Sequence, residues 1–199
     1  MAKDWIGNYK SIYSVLGATN HSRGGREEND YYATDPKAVD LLLQQEMFSP
    51  IVWECACGEG HISKALEKAG YAVISTDLIY RGYGRIEPLD FLKDDVPDFE
   101  GDIITNPPYK YAQEFVERAM QIVHDGHKVA MLLKLTFLEG KARKQMYMKY
   151  PPQTVYVFSE RVKCAKNGEF DKIGSSAVAY AWFVWRKGFH GSPVVKWIN

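Results

Sequence analysis

The sequence predicts an α/β fold: a doubly wound, mostly parallel sheet of seven strands with an antiparallel strand at one edge. Short apolar runs alternate along the chain with amphipathic segments of about 10 to 15 residues, which is typical of parallel sheets covered by helices. The last two predicted strands, 154–160 and 176–188, have no helix between them. We therefore expect these two strands to pair antiparallel at the edge of the sheet.

Local signals set the boundaries of the predicted elements. Asp35 or Thr34 can cap the first helix, Pro36 suits its first turn, and Gly70 suits the end of the second helix. The predicted helices are 35–48, 61–70, 110–126 and 140–150. The predicted strands are 51–55, 71–77, 84–92, 102–106, 128–135, 154–160 and 176–188.

Length and composition indicate one folded domain. The chain has 199 residues, of which 46% are hydrophobic and 25% charged. No apolar run approaches the roughly 18 residues that cross a bilayer, and the N-terminus, which carries Asp4, does not resemble a secretory signal. Three cysteines are too few for a disulfide framework and suggest the cytoplasm. Cys55, Cys57 and His61 lack a fourth ligand, so we predict no metal site.

Charge is unevenly distributed along a chain whose formal net charge is zero. Residues 128–172 hold ten lysines and arginines against four acidic residues. Such a segment is either a surface for a polyanion or a solvated basic face. Residues 18–31 are polar and glycine-rich, so 1–30 is interpreted as an N-terminal extension or mobile arm, and 31–199 as the folded domain.

Candidate ligand-binding residues follow the first three predicted strands. In sheets of this class, ligands bind at the carboxyl ends of the strands. Glu54 ends the first strand, and Gly58 in the "ECACGEG" segment allows a tight turn. Asp77, 23 residues after Glu54, can accept hydrogen bonds from ribose hydroxyls. Asp90 can bind an adenine amine, and Phe91 can cover its ring. The "ECACGEG" segment lacks the glycine spacing of dinucleotide sites. Its Glu54 would repel a phosphate but attract a cationic amino group.

The stretch "DIITNPPYK" places a stiff loop after the fourth strand. Two consecutive prolines restrict the backbone after Asn106 and cannot donate to a sheet ladder. The loop therefore presents an amide, two rigid carbonyls and the ring of Tyr109 in a fixed order.

With these motifs, the sequence resembles S-adenosylmethionine-dependent amino-methyltransferases, especially the small DNA adenine-N6 methyltransferases of phages and prophages. The resemblance runs from about Tyr31 to the C-terminus, with "YATDP", "ECACGEG", "STDL", "LDFL" and "NPPY" in one permutation of the family's motif order. "NPPY" is the specific signal among them. The resemblance implies a Rossmann-like class I methyltransferase fold, S-adenosylmethionine as cofactor, and DNA as partner.

The resemblance also implies roles for individual residues. The cofactor site would comprise Thr34, Glu54, Cys55, Ala56, Gly58, Asp77, Leu78, Asp90, Phe91 and Asn106. The catalytic residues would be Asn106, Pro107, Pro108 and Tyr109. The Asn106 side-chain oxygen and the Pro107 carbonyl would accept the two hydrogens of an exocyclic amine, and Tyr109 would stack on a base flipped out of the duplex.

The sequence specifies the methyl acceptor less sharply than it specifies the methyl-transfer reaction. A short basic segment around 138–173 is the predicted target-recognition element, in which Lys141 and Arg143 would contact phosphates. Phe170 either closes over the base or packs on the domain. No long recognition domain is present, so we expect a short or relaxed sequence specificity. Enzymes with the same motif methylate ribosomal RNA or a protein glutamine, and a non-catalytic nucleic-acid-binding module stays open as an alternative.

Overall fold

The computed structural model describes residues 32–162, 164–165 and 178–199. The predicted extension 1–30, Phe170 and part of the predicted basic segment lie outside these residues. Within the described residues the chain forms nine strands and four α-helices. The strands are β1 (Ala33–Thr34), β2 (Ile51–Glu54), β3 (Ala72–Ser75), β4 (Asp102–Thr105), β5 (Lys128–Lys134), β6 (Thr154–Phe158), β7 (Cys164–Ala165), β8 (Tyr180–Arg186) and β9 (Val194–Ile198). The helices are α1 (Pro36–Leu43), α2 (His61–Lys68), α3 (Ala112–Ile122) and α4 (Arg143–Lys149).

Seven strands form one mixed sheet in the order β3-β2-β4-β5-β8-β6-β9. Strands β3, β2, β4 and β5 are parallel to one another, and β9 is parallel to β6. Strand β8 runs antiparallel to both of its neighbours, β5 and β6. The short strands β1 and β7 form a separate antiparallel pair. The predicted α/β class, the seven-stranded sheet and its parallel majority are confirmed.

Two details of the predicted sheet are wrong. The antiparallel strand β8 lies inside the sheet rather than at its edge, because its first six residues are all buried and need covered neighbours on both sides. Residues 84–92 form bends and turns instead of a strand, since Pro88 cannot donate to a ladder and residues 84–88 are exposed. The seventh strand is instead β9, an exposed edge strand that the sequence pattern did not indicate.

Helices cover both faces of the sheet, as a doubly wound fold requires. Successive strand residues point to opposite faces, so Ile103 joins one core cluster and Ile104 the other. The first cluster includes Phe115 and Val116 of α3. The second includes Leu42 of α1, together with apolar residues of α2. The central strands β4, β5 and β8 are therefore buried on both faces.

The predicted helix boundaries agree with the structure where a local signal exists. The Asp35 carboxylate accepts a hydrogen bond of 3.0 Å from the Lys37 amide and caps α1, with Pro36 at the first position. Gly70 follows α2 with a positive φ of 96°. Within the described ranges, no helix combines the length and apolar character needed to cross a bilayer.

Candidate active site

A cavity of about 530 Å³ opens at the carboxyl ends of β2, β3 and β4. Its size falls within the usual range for small-molecule sites. Its lining includes every predicted cofactor-site residue except Gly58, and all four residues of the predicted catalytic loop. The predicted cofactor-site residues that line it are Thr34, Glu54, Cys55, Ala56, Asp77, Leu78, Asp90, Phe91 and Asn106. The parallel strands thus bring these distant segments to one place.

The loop after β2 is tied to the end of β3. Gly58 has a φ of 56°, and its amide donates to the Asp77 carboxylate over 2.8 Å. The other Asp77 oxygen accepts from the Ile79 amide over 2.9 Å. Because each carboxylate oxygen can accept more than one hydrogen bond, Asp77 keeps acceptor capacity toward the cavity. Gly58 therefore shapes the site through Asp77 without lining the cavity itself.

Glu54 is a buried carboxyl group at the floor of the site, only 2% exposed. Its Oε2 accepts hydrogen bonds from the Ser63 amide, over 2.8 Å, and from the Ser63 hydroxyl. Burial raises the pKa of Glu54 to about 8, although the Ser63 hydrogen bonds oppose the shift. The isolated site thus favours the protonated carboxyl at neutral pH, and a cationic ligand would favour its ionisation.

The segment after β3 contributes one polar and one aromatic residue. Asp90 pairs with Lys93 over 3.0 Å and accepts a hydrogen bond from the Leu92 amide. Phe91 is 2% exposed and packs in the core, with its ring centroid 5.3 Å from that of Trp53 and 5.0 Å from that of Phe115. Phe91 therefore borders the cavity as part of its wall, not as a mobile cover.

Asn106 is held in one orientation by Thr34 of strand β1 and by Tyr32, which lies just before that strand. Its Nδ2 donates to the Tyr32 carbonyl over 3.1 Å and to the Thr34 hydroxyl over 3.0 Å. A carbonyl oxygen can only accept, so the amide nitrogen must face Tyr32. The opposite atom, Asn106 Oδ1, is buried and has no hydrogen-bond partner among the described residues. The side chain consequently offers an unsatisfied acceptor next to the cavity.

The rest of the "NPPY" loop is rigid and partly covered. Pro107 is buried, and the Pro108 carbonyl accepts from the Tyr111 amide over 2.9 Å, which closes the turn. The Tyr109 ring lies 5.9 Å from the rings of both Tyr32 and Tyr180. Burial raises the pKa of Tyr109 well above its usual range, and Cys164 and Tyr180 lie beside it. Stacking of Tyr109 on a base stays a prediction.

Lys134 lies beside the site, behind Tyr109, and sequence reasoning missed it. It ends β5, is half-buried, and places Nζ 4.6 Å from the centre of the Tyr109 ring. The positional rule that indicated Glu54 and Asp77, a polar residue at the carboxyl end of a buried strand, applies equally to Lys134. Tyr32 and Tyr180 were also missed, because their approach to Tyr109 depends on the tertiary fold.

The predicted phosphate-contacting residues do not line the cavity. Lys141 is exposed, in the turn before α4. The Arg143 guanidinium donates to the carbonyls of Thr136, Phe137 and Glu139, and it lies 4.9 Å from the centre of the Phe137 ring. Arg143 therefore stabilises the turn after β5, which leaves it less available to a phosphate than expected. A phosphate contact by Lys141 stays a prediction.

The cysteine segment behaves as part of the fold. Cys55 and Cys57 are buried free thiols, and burial raises the pKa of Cys57 to about 12. Among residues 32–162, 164–165 and 178–199, no cluster of three or more His, Cys, Asp or Glu side chains is placed to hold a metal ion.

Comparison with solved structures finds many with the same fold. A proposed class I S-adenosylmethionine-dependent methyltransferase from Listeria monocytogenes is 12% identical with a TM-score of 0.59, covering 94% of this chain and 71% of that one. A modification subunit of a proposed type I restriction enzyme from Vibrio vulnificus is 14% identical with a TM-score of 0.56, covering 86% and 48%. A proposed RNA methyltransferase from Pyrococcus horikoshii is 12% identical with a TM-score of 0.56, covering 92% and 100%.

The chain spans about half the length of the Vibrio vulnificus subunit. No protein-family model matches the sequence, and no curated protein sequence matches it. At these identities the likeness concerns architecture, and it agrees with the strand order and the position of the cavity. The chain therefore has the fold of the class I S-adenosylmethionine-dependent methyltransferases.

Proposed function

We propose that this protein transfers a methyl group from S-adenosylmethionine to the exocyclic N6 amine of adenine in DNA, with a short or relaxed sequence specificity. The observation that carries the proposal is the orientation of Asn106. Its Nδ2 is engaged by Tyr32 and Thr34, while its buried Oδ1 is left without a partner in the described structure. An acceptor fixed in this way suits an amine that donates a hydrogen bond while its nitrogen takes up the methyl group and one of its protons is released to water.

The cavity fits the cofactor better than it fits a dinucleotide. Glu54, Asp77 and Asp90 surround it, and three carboxyl groups disfavour a pyrophosphate. Glu54 is suited to the cationic amino group, Asp77 to the ribose hydroxyls and Asp90 to the adenine amine. Phe91 supplies an apolar wall for the adenine ring. When bound, S-adenosylmethionine supplies an electrophilic methyl group on its sulfonium.

The protein's contribution to the transfer is positioning. The lone pair of an adenine amine is conjugated with the ring, so the amine is a poor nucleophile. Asn106 Oδ1 and the Pro107 carbonyl would each accept a hydrogen bond from one N–H of the amine and so orient its lone pair. Because the prolines and the bonds from Asn106 to β1 hold these acceptors in advance, little reorganisation is needed when the substrate arrives. Tyr109 would stack on the flipped base.

Charge favours a nucleic-acid acceptor over a protein, and one likeness in fold supports DNA, as another supports RNA. Residues 128–172 are strongly basic, which suits a phosphate backbone and not a short protein loop. One structure of similar fold is the modification subunit of a proposed restriction enzyme. The described chain has little surface beyond the methyltransferase fold for reading bases, so we expect a short recognition site.

The test is methyl transfer from tritiated S-adenosylmethionine to unmethylated duplex DNA, ribosomal RNA and a release-factor protein in parallel. Labelled nucleic acid is digested to nucleosides to locate the methyl group. We expect N6-methyladenine from DNA, lost in Asn106→Ala and retained in the matched control Asn199→Ala, whose amide binds Glu160 at the far edge of the sheet. Label confined to RNA or protein would refute the DNA assignment, and one strict six-base motif would refute the relaxed specificity.

A further inference from the structure

The charged groups around the cavity differ from one side of β4 to the other. The carboxyl group of Glu54 ends β2 and that of Asp77 follows β3, and these two strands form one end of the sheet. Lys134 ends β5, on the opposite side of β4. Lys110, directly after Tyr109, lines the cavity, whereas Lys134 lies behind the lining and contacts the Tyr109 ring. The predicted cofactor side therefore holds both carboxyl groups and the cations Arg81 and Lys93, and the predicted acceptor side carries two ammonium groups.

Lys134 has no carboxylate within ion-pair distance in the described part of the chain, although it is half-buried. Its Nζ instead lies 4.6 Å from the centre of the Tyr109 ring. A cation–π contact of this kind is worth about 0.5–1 kcal/mol near a surface, which is modest compensation for partial loss of hydration. An ammonium group in this position has capacity for an anion.

Lys110 directly follows the same tyrosine in the sequence and is exposed. Its Nζ is 4.9 Å from the centre of the Tyr111 ring, and Tyr111 is itself 42% exposed at the cavity. Arg143 is engaged by the carbonyls of its own turn and does not line the cavity. Lys110 and Lys134 thus both lie beside Tyr109 of the predicted acceptor site.

We propose that Lys134 and Lys110 bind phosphodiester groups of the DNA strand that flank the acceptor base. This inference rests on the proposed function for its ligand. The lysines would fix the strand so that one base meets Tyr109 and Asn106, a role that positions the substrate without reading its sequence. Phosphate contacts of this kind release counterions, so their number is measurable from the salt dependence of binding.

The experiment measures binding of a fluorescein-labelled DNA duplex by anisotropy over a series of salt concentrations. Lys134→Met and Lys110→Met remove the charge and keep most of the apolar stem. Lys196→Met is the matched control, because Lys196 Nζ lies 5.6 Å from the ring of Tyr156 on the far side of the sheet. Each site variant is expected to lower the slope of log affinity against log salt by about 0.9, and affinity at low salt by about three- to tenfold. The control is expected to match the wild type.

Cofactor binding and thermal unfolding are measured on the same variants. A lysine that only supported the Tyr109 ring would change the unfolding temperature and leave the salt slope unaltered, and this result would overturn the inference. Wild-type protein that bound RNA alone, or no nucleic acid, would overturn it as well. A reduced slope without any methylation of DNA would support the phosphate contacts and refute the proposed function. DNA methylation by the wild type, combined with an unaltered slope in the lysine variants, would support the proposed function and refute the phosphate contacts.

Discussion

The side-chain amide of Asn106 donates a 3.0 Å hydrogen bond to the hydroxyl of Thr34, a residue 72 positions earlier in the chain. This bond and the one to the Tyr32 carbonyl fix which end of the amide faces the cavity. Thr34 therefore has a positioning role beside the cofactor contact that its motif suggests. A hydrogen bond to Asn106 and a contact with the cofactor predict different effects when the Thr34 hydroxyl is removed.

Thr34→Val removes the hydroxyl with little change in shape. We expect the single-turnover rate of methyl transfer to fall roughly tenfold, as loss of one hydrogen bond of about 1.4 kcal/mol implies, while cofactor affinity stays near that of the wild type. Thr34→Ser keeps the hydroxyl and should restore most of the rate. A weaker cofactor affinity with an unchanged rate would show that Thr34 acts on the cofactor and not on Asn106.

Glu54→Gln should change the pH dependence of stability. The pKa of Glu54 is about 8 in the folded protein and about 4.5 in its usual range. The folded state therefore binds this proton more tightly than the unfolded state, so Glu54 lowers stability increasingly as pH rises from 4.5 to 8. Each pKa unit corresponds to about 1.4 kcal/mol.

Thermal unfolding between these pH values measures the effect. Glu54→Gln should gain stability relative to the wild type as pH rises, whereas the exposed Glu100→Gln should run parallel to the wild type. A constant difference between Glu54→Gln and the wild type across this range would contradict the raised pKa.

Gly60 and Gly82 provide a matched pair for the loop near the cofactor cavity. Both have a positive φ, 79° and 85°, so alanine is strained at either position. A Cβ at Gly60 would also meet the Tyr83 ring at 2.2 Å, whereas nothing lies within 4 Å of a Cβ at Gly82. We expect Gly60→Ala to lower the free energy of unfolding by about 1–3 kcal/mol more than Gly82→Ala in urea titrations. Equal losses would mean that Tyr83 moves aside freely.

Arg143→Ala should destabilise the turn after β5. Its guanidinium binds carbonyls of Phe137 and Glu139 and packs on the Phe137 ring. We expect a loss of about 1–3 kcal/mol in the free energy of unfolding, with partial recovery in Arg143→Lys. Wild-type stability combined with reduced DNA affinity would instead favour the phosphate contact expected from the sequence.

Local patterns predicted most of this fold. Asp35, Pro36 and Gly70 mark helix ends through their own backbone preferences, and the apolar run of β5 identifies a buried strand. The exposed strand β9 has little burial signal, so it was missed. The apolar run of β8 suits an interior position, but its pairing with both β5 and β6 arises from contacts between distant segments.

The same distinction applies to the site. Asn106 and Tyr109 were predicted because a stiff loop follows a buried strand. The bond from Asn106 to Thr34, and the approach of Lys134 to Tyr109, arise from contacts between distant segments. Conversely, Arg143 was interpreted as available to a phosphate because its hydrogen bonds to a local turn leave no pattern in the sequence.

The most direct test of the account is the single-turnover rate of N6-methyladenine formation in duplex DNA by Asn106→Ala, with Asn199→Ala as the matched control. If Asn106 Oδ1 orients the acceptor amine, the rate falls roughly a hundredfold or more in Asn106→Ala and is unchanged in the control. An Asn106→Ala protein that forms N6-methyladenine at the wild-type rate would contradict the central claim.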